Sequence, residues 1–320
     1  MKILATLLAA ALAATSLHAA PKKLLLVTTT TGFRHSCIPT SEKILAQLAQ
    51  QSQAGFTTVK IRLSLAKSLA VSQRARGFEI ELLEQPPGHA ETGFPAKLKP
   101  DASDAEKAVF DAAEAAWDGK LKSVLQKLSP ESLKNYDGVI FASTTGDLPL
   151  PDKQGFLDWI KAGHAFIGIH AASDTFHGWP DFVAMLGGEF AHHGPQVSVE
   201  CLNEDPKNPA TAHLGKTWTI QQEEIYQFKN YDPANVHDLL ILAKHPETGA
   251  AGHFGVSWCK DYGAGKVFYT SLGHREDIWD ADPDLKDRKN NATISRAYQQ
   301  HVLGGIEWAL GLKKPAAAGQ

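Results

Sequence analysis

Fourteen histidines against three cysteines set the chemical character of this 320-residue chain. Imidazole titrates near neutrality, so it serves both as a metal ligand and as a proton carrier. The most pointed instance is Gly168-Ile169-His170-Ala171-Ala172. Its small residues suit a tight strand-to-helix elbow, a turn that elsewhere presents a nucleophile at its apex. With His170 at the apex in place of Ser or Cys, acyl-enzyme chemistry gives way to metal ligation or proton transfer. Asp174 lies four residues on and shares a face with His170 if a helix begins at the elbow.

Other candidates follow other apolar runs: His35, His274, one of the adjacent His192-His193, and one carboxylate of Glu223-Glu224, whose neighbour is expected to be solvated. Catalytic zinc takes a small set of imidazole and carboxylate ligands and keeps a position open for water or substrate. Loop order selects His170, His193 and Glu223 as that set, for a divalent ion such as zinc. His35 and His274 are left to orient substrate or move protons. The alternative is a hydrogen-bonded polar cluster without an ion. Trp179 and Trp279, beside polar loops, are candidates for stacking on a sugar ring.

Strands alternating with helices would position these groups. Short apolar runs at Lys22–Thr28, Gly77–Leu83, Tyr136–Ala142 and Ala165–Ile169 read as strands, and so do Val197–Glu200, Trp218–Ile220, Leu239–Ala243 and Lys266–Thr270. Helical spacing begins at Ser41, covers Ala102–Leu128 and Asp152–Ala162, and closes the chain at His301–Leu310, with a loop at Pro86–Pro100. The alternation predicts an α/β fold with a buried, mostly parallel sheet, in which ligands sit beyond the carboxyl ends of the strands. His35, His170 and His274 all fall there.

A formal charge of −3 offers no basic field for nucleic acid. Cys37, Cys201 and Cys259 are an odd number without C-x-x-C spacing, which indicates neither a disulfide framework nor a thiolate zinc site. Phosphate-loop, G-x-S-x-G, H-E-x-x-H and dinucleotide fingerprints are absent, against nucleotide hydrolysis, serine esterase and nicotinamide dehydrogenase chemistry. Lys2, the apolar Ile3–Ala14 and the small-residue exit before Ala20 form a leader at residues 1–19, predicting a periplasmic or secreted protein. The apolar run is too short for a membrane span, and none is expected elsewhere.

Six segments in order resemble the ThuA-like family, named for trehalose utilisation: Phe33-Arg34-His35, GIHAASDTF from Gly168, WPDFVAMLGGEFAHH from Trp179, EEIYQF from Glu223, GKVFYTSLGH from Gly265 and GGIEWALG from Gly304. The resemblance implies a flavodoxin-like sheet, akin to class I glutamine amidotransferases, with helices on both faces. His170 then takes the place of the amidotransferase cysteine and His274 that of its later histidine, so no glutaminase is implied. Glu223 stands where the family more often has Asp, and Asn208 precedes Pro209 where His-Pro is common, which argues against a ligand at Asn208. Residues 20–312 read as one domain with a variable insertion around 50–130, followed by a tail at 313–320. The family's link to disaccharide catabolism, beside dehydrogenases that make 3-keto-glycosides, implies a sugar or keto-sugar substrate. A lyase, hydrolase or isomerase would draw on His35, His170, Asp174, Glu223 and His274 for metal-assisted or proton-transfer chemistry. The alternative is a non-catalytic sugar-binding or accessory module.

Overall fold

A computed structural model describes residues 20–52 and 77–316. The leader at 1–19, part of the expected insertion and the end of the tail lie outside the described residues. The chain runs β1 (Lys22–Val27), α1 (Ile38–Gln51), β2 (Phe78–Leu83), α2 (Asp104–Leu125), α3 (Pro130–Leu133), β3 (Gly138–Ala142), α4 (Lys153–Lys161) and β4 (Ala165–Ile169). It continues through α5 (Pro180–Leu186), β5 (Glu189–His193), β6 (Val197–Asn203), β7 (Thr217–Glu223), β8 (Tyr226–Lys229), β9 (His237–Lys244), β10 (Ala251–Tyr262), β11 (Gly265–Thr270), α6 (Glu276–Trp279) and α7 (Ala292–Ala309).

Nine strands form one sheet in the order β2-β1-β3-β4-β11-β10-β9-β6-β7. The first five pair in parallel, and the remaining four are joined antiparallel to that edge. The parallel half has the flavodoxin order 2-1-3-4-5, whose ligand crevice opens at the carboxyl ends of the strands. Every residue of β3 and β4 is buried, as expected of a sheet covered on both faces. Alternate residues of one strand enter opposite cores. Leu24 and Leu26 pack with α1 and α7, whereas Leu25 and Val27 pack with Trp117 of α2, Phe156 of α4 and Phe182 of α5.

Local signals place the helix starts. Ser103 and Glu106 form a reciprocal capping box at α2, Asp152 accepts the Gly155 N–H at α4, and Asn291 accepts two N–H groups at α7. Three elements depart from expectation. β10 and the β5–β8 ribbon were not legible, because β10 interrupts its apolar pattern with Gly252, Gly255 and register shifts, and β5 ends on exposed histidines. The elbow leads into a short 3-10 turn, His170–Asp174, rather than an α-helix. Among the described residues no helix is long and apolar enough to cross a membrane.

The closing helix α7 is pressed onto the sheet and the Asn208–Ala210 loop. A Cβ on Gly304 would lie 2.0 Å from the Pro209 carbonyl oxygen. One turn earlier, buried His301 donates from Nδ1 to the Ala210 carbonyl at 2.8 Å, and burial pushes its pKa down to about 3. The unfolded chain therefore binds this proton first, so stability is intact above about pH 6.5 and is lost as pH falls towards 3. His301→Leu is expected to make urea-denaturation stability fall less steeply between pH 6.5 and 4, by on the order of the 3 kcal/mol that the wild type loses to this group.

Candidate metal centre

The centre of the site is the end of β4. His170 is wholly buried and sits at φ +52°, a left-handed conformation that costs a non-glycine residue about 1–3 kcal/mol. Several contacts hold it there. The Tyr269 hydroxyl donates to the His170 carbonyl at 2.8 Å, and its oxygen lies 2.8 Å from the Ser173 hydroxyl. His170 Nδ1 lies 2.8 Å from the carbonyl of Ser271, just past β11. A carbonyl only accepts, so Nδ1 carries the proton and Nε2 presents a lone pair. Burial, with His35 and His274 nearby, holds this ring well below the usual histidine pKa and hence neutral.

Three further groups meet that lone pair. His274 Nδ1 is 3.3 Å from His170 Nε2, and Glu224 Oε2 is 3.2 Å from His274 Nδ1 and 3.7 Å from His170 Nε2. His35, at the end of the loop after β1, packs its ring 4.7 Å from that of His170 and 5.4 Å from that of His274. One ligand atom from each of His35, His170, Glu224 and His274 lies within 4.8 Å of the others. Ligands about 2.0–2.2 Å from a tetrahedral ion stand about 3.3–3.6 Å apart, so the three measured separations are close to that spacing. The group could hold a metal ion.

The electrostatics are divided among these residues. Burial, then His274 and His193, push the His35 pKa down to about 3, and its Nδ1 is buried without a partner. Burial also opposes charge on His274. The Glu224 carboxylate, with Glu223 and Glu276, outweighs that and lifts its pKa above the ordinary value. Tyr226 has its hydroxyl 3.2 Å from His170 Nε2 and stays protonated, because burial raises its pKa.

Several sequence expectations are corrected here. Glu223 is not in the group: its Oε1 accepts the backbone N–H groups of His274 at 2.7 Å and Gly273 at 3.3 Å, and so fixes the turn that delivers His274. Burial lifts its pKa to about 7. Glu224 faces the histidines instead, and neither carboxylate is solvated. A register shift between β6 and β7 falls just before this pair, where Val197 pairs with Glu223 but Val199 with Ile220. The Asn290 side chain pins that bulge by accepting the Gln221 and Gln222 N–H groups, both at 3.1 Å. His193 lies outside the group, on the exposed side of Glu224, with Nδ1 3.2 Å from Oε1. Asp174 does not share the His170 face, because a 3-10 turn aligns residues three apart. It bonds His177 Nε2 at 2.6 Å instead. Trp179 and Trp279 are both buried, and the Trp279 indole donates to the Gly273 carbonyl at 2.9 Å, so neither faces a ligand.

A surface groove of about 1020 Å3, lined by Leu48, Arg296, Leu303 and Glu307, contains none of the clustered residues. The site is defined by its donors rather than by cavity size. The sequence profile of the trehalose-utilisation family, ThuA, matches residues 90–309. The chain belongs to the ThuA family. The matched segment holds the His170 elbow, His193, Glu223-Glu224 and His274, and begins after the loop that carries His35. Two solved structures share the ThuA fold over most of both chains. A putative ThuA-like protein from Parabacteroides merdae is 18% identical, covering 92% of this chain and 91% of its own, with a TM-score of 0.58. Another, from Bacteroides uniformis, is 17% identical, covering 91% and 92%, with a TM-score of 0.53. No curated relative matches significantly.

The clamp on the His274 turn can be tested by thermal and urea denaturation. Glu223→Ala strands two buried N–H groups and is expected to cost about 2–4 kcal/mol. Glu223→Gln keeps an acceptor and should retain most of that stability. Equal losses in the two variants would contradict the clamp.

Proposed function

We propose that this ThuA-family protein is an exported carbohydrate-processing enzyme acting on a disaccharide or 3-keto-glycoside, with a divalent ion, zinc foremost, held by His35, His170, Glu224 and His274. The observation that carries the reading is the convergence of those four ligand atoms, with the His170 lone pair turned inward by the Ser271 carbonyl. The family supplies carbohydrate metabolism as the setting. The leader supports a periplasmic or secreted location.

The ion would act as a Lewis acid for a carbonyl oxygen of the substrate. The chain supplies the proton chemistry. His193 Nδ1 lies 2.9 Å from the Gly194 carbonyl, which only accepts, and 3.2 Å from Glu224 Oε1. Its proton is therefore on Nδ1, and the exposed ring offers an Nε2 lone pair to a bound sugar. That nitrogen takes the proton from the carbon next to the keto group, and the electron pair moves onto the keto oxygen. Passing the neighbouring hydroxyl proton to the former keto oxygen and returning the abstracted proton to the former keto carbon gives isomerisation. Expelling the glycosidic oxygen from the adjacent carbon gives elimination. The Tyr226 hydroxyl stands within reach of the centre as a proton donor to developing oxyanion charge.

Purified protein incubated with 3-keto-trehalose is expected to turn it over, to lose activity with chelator and to regain it with Zn2+. His193→Ala should lower kcat by about 10²–10⁴-fold, the range for losing a general base, when assayed at saturating Zn2+. Failure to turn over any glycoside or keto-glycoside would overturn the reading.

A further inference from the structure

The loop that carries His35 is joined to a second loop, and the junction leaves an aromatic surface beside the metal centre. Arg34 and Gly93 exchange both backbone hydrogen bonds at 2.8 Å. The Arg34 guanidinium also donates to the Thr28 carbonyl and to Gln85 Oε1, which in turn accepts the Thr30 N–H at 2.8 Å. Gly93 has φ +80°, with no atom within 4 Å of where a Cβ would stand. Its glycine serves the backbone turn, not a close approach, and that turn directs Phe94 outward.

Phe94 is 69% exposed, and the only other large exposed hydrophobic among the described residues is Val109 on α2. The Phe94 ring does not stand alone. It meets half-buried Phe33 edge-on at 5.1 Å, and Phe33 meets His35 edge-on at 4.9 Å. The aromatic surface therefore continues directly from a ligand of the centre. Phenyl rings carry no hydrogen-bonding group, so they suit the apolar C–H face of a sugar ring and leave its hydroxyls in water.

We propose that Phe94, braced edge-on by Phe33, forms the platform for the second pyranose ring of a two-ring substrate, the ring that does not react, and so sets a preference for disaccharides over single-ring glycosides. This rests on the sugar reading of the centre. A ring stacked there would hold the reactive ring towards the partly exposed His274 side of the centre and shield the exposed Phe94 face from water.

The test compares zinc-loaded full-length protein on 3-keto-trehalose and on methyl 3-keto-α-glucoside. Phe94→Ala is expected to raise KM for the two-ring substrate by about threefold to tenfold, with the one-ring substrate and the melting temperature unchanged. Phe94→Trp should restore the two-ring KM. If the wild type turns over both substrates and Phe94→Ala alters neither, or both equally, the platform is overturned while the sugar reading stands. If the wild type turns over neither, the sugar reading falls and the platform with it.

Discussion

The site depends on one hydrogen bond, from His170 Nδ1 to the Ser271 carbonyl. It joins the ends of two neighbouring parallel strands, β4 and β11, and fixes which nitrogen of a buried imidazole is bare. A flipped ring would put an N–H where three other ligand atoms converge and leave a buried carbonyl unpaired. The strained backbone at φ +52° is held against this bond by Tyr269 and Ser173. Gly168, just before the apex, leaves room for the Tyr269 ring, which would come within 2.9 Å of a Cβ there. Strain, tautomer and packing thus support a single ring orientation.

Two adjacent buried carboxylates then take different tasks. Glu223 holds backbone, and burial raises its pKa. Glu224 links the inner histidines to His193 at the mouth, with one oxygen towards each. Burial keeps His35 and His170 neutral and the Glu224 carboxylate raises the pKa of His274, so of the three rings the one beside Glu224 takes up a proton most readily. A divalent ion would compete with the proton on His274 for the same carboxylate, which couples metal affinity to pH.

Much of this was legible in the chain. Fully apolar runs as short as Ala165–Ile169, bounded by turn residues, read as buried strands, and the convergence of His35, His170 and His274 follows from their places after β1, β4 and β11. The choice between Glu223 and Glu224 was not legible. A bulge held by Asn290, nearly seventy residues away, interrupts the alternation just before the pair, and both carboxylates end up buried, which the local sequence does not show. The 3-10 geometry that removed Asp174 from the His170 face likewise reflects packing around the elbow rather than local propensity. Aromatic exposure was misread for a related reason. Trp179 and Trp279 sit beside polar loops in sequence yet fill the core, while Phe94 reaches the surface through a backbone pairing with Arg34.

The central claim is that His35, His170, Glu224 and His274 form one metal-binding group, and calorimetric titration of metal-free protein with Zn2+ tests it most directly. The account predicts one ion per chain, proton release on binding, affinity that weakens as pH falls through the raised pKa of His274, and a loss of at least about 100-fold in Glu224→Ala. Absence of saturable binding, or equal affinity in the wild type and Glu224→Ala, would contradict it.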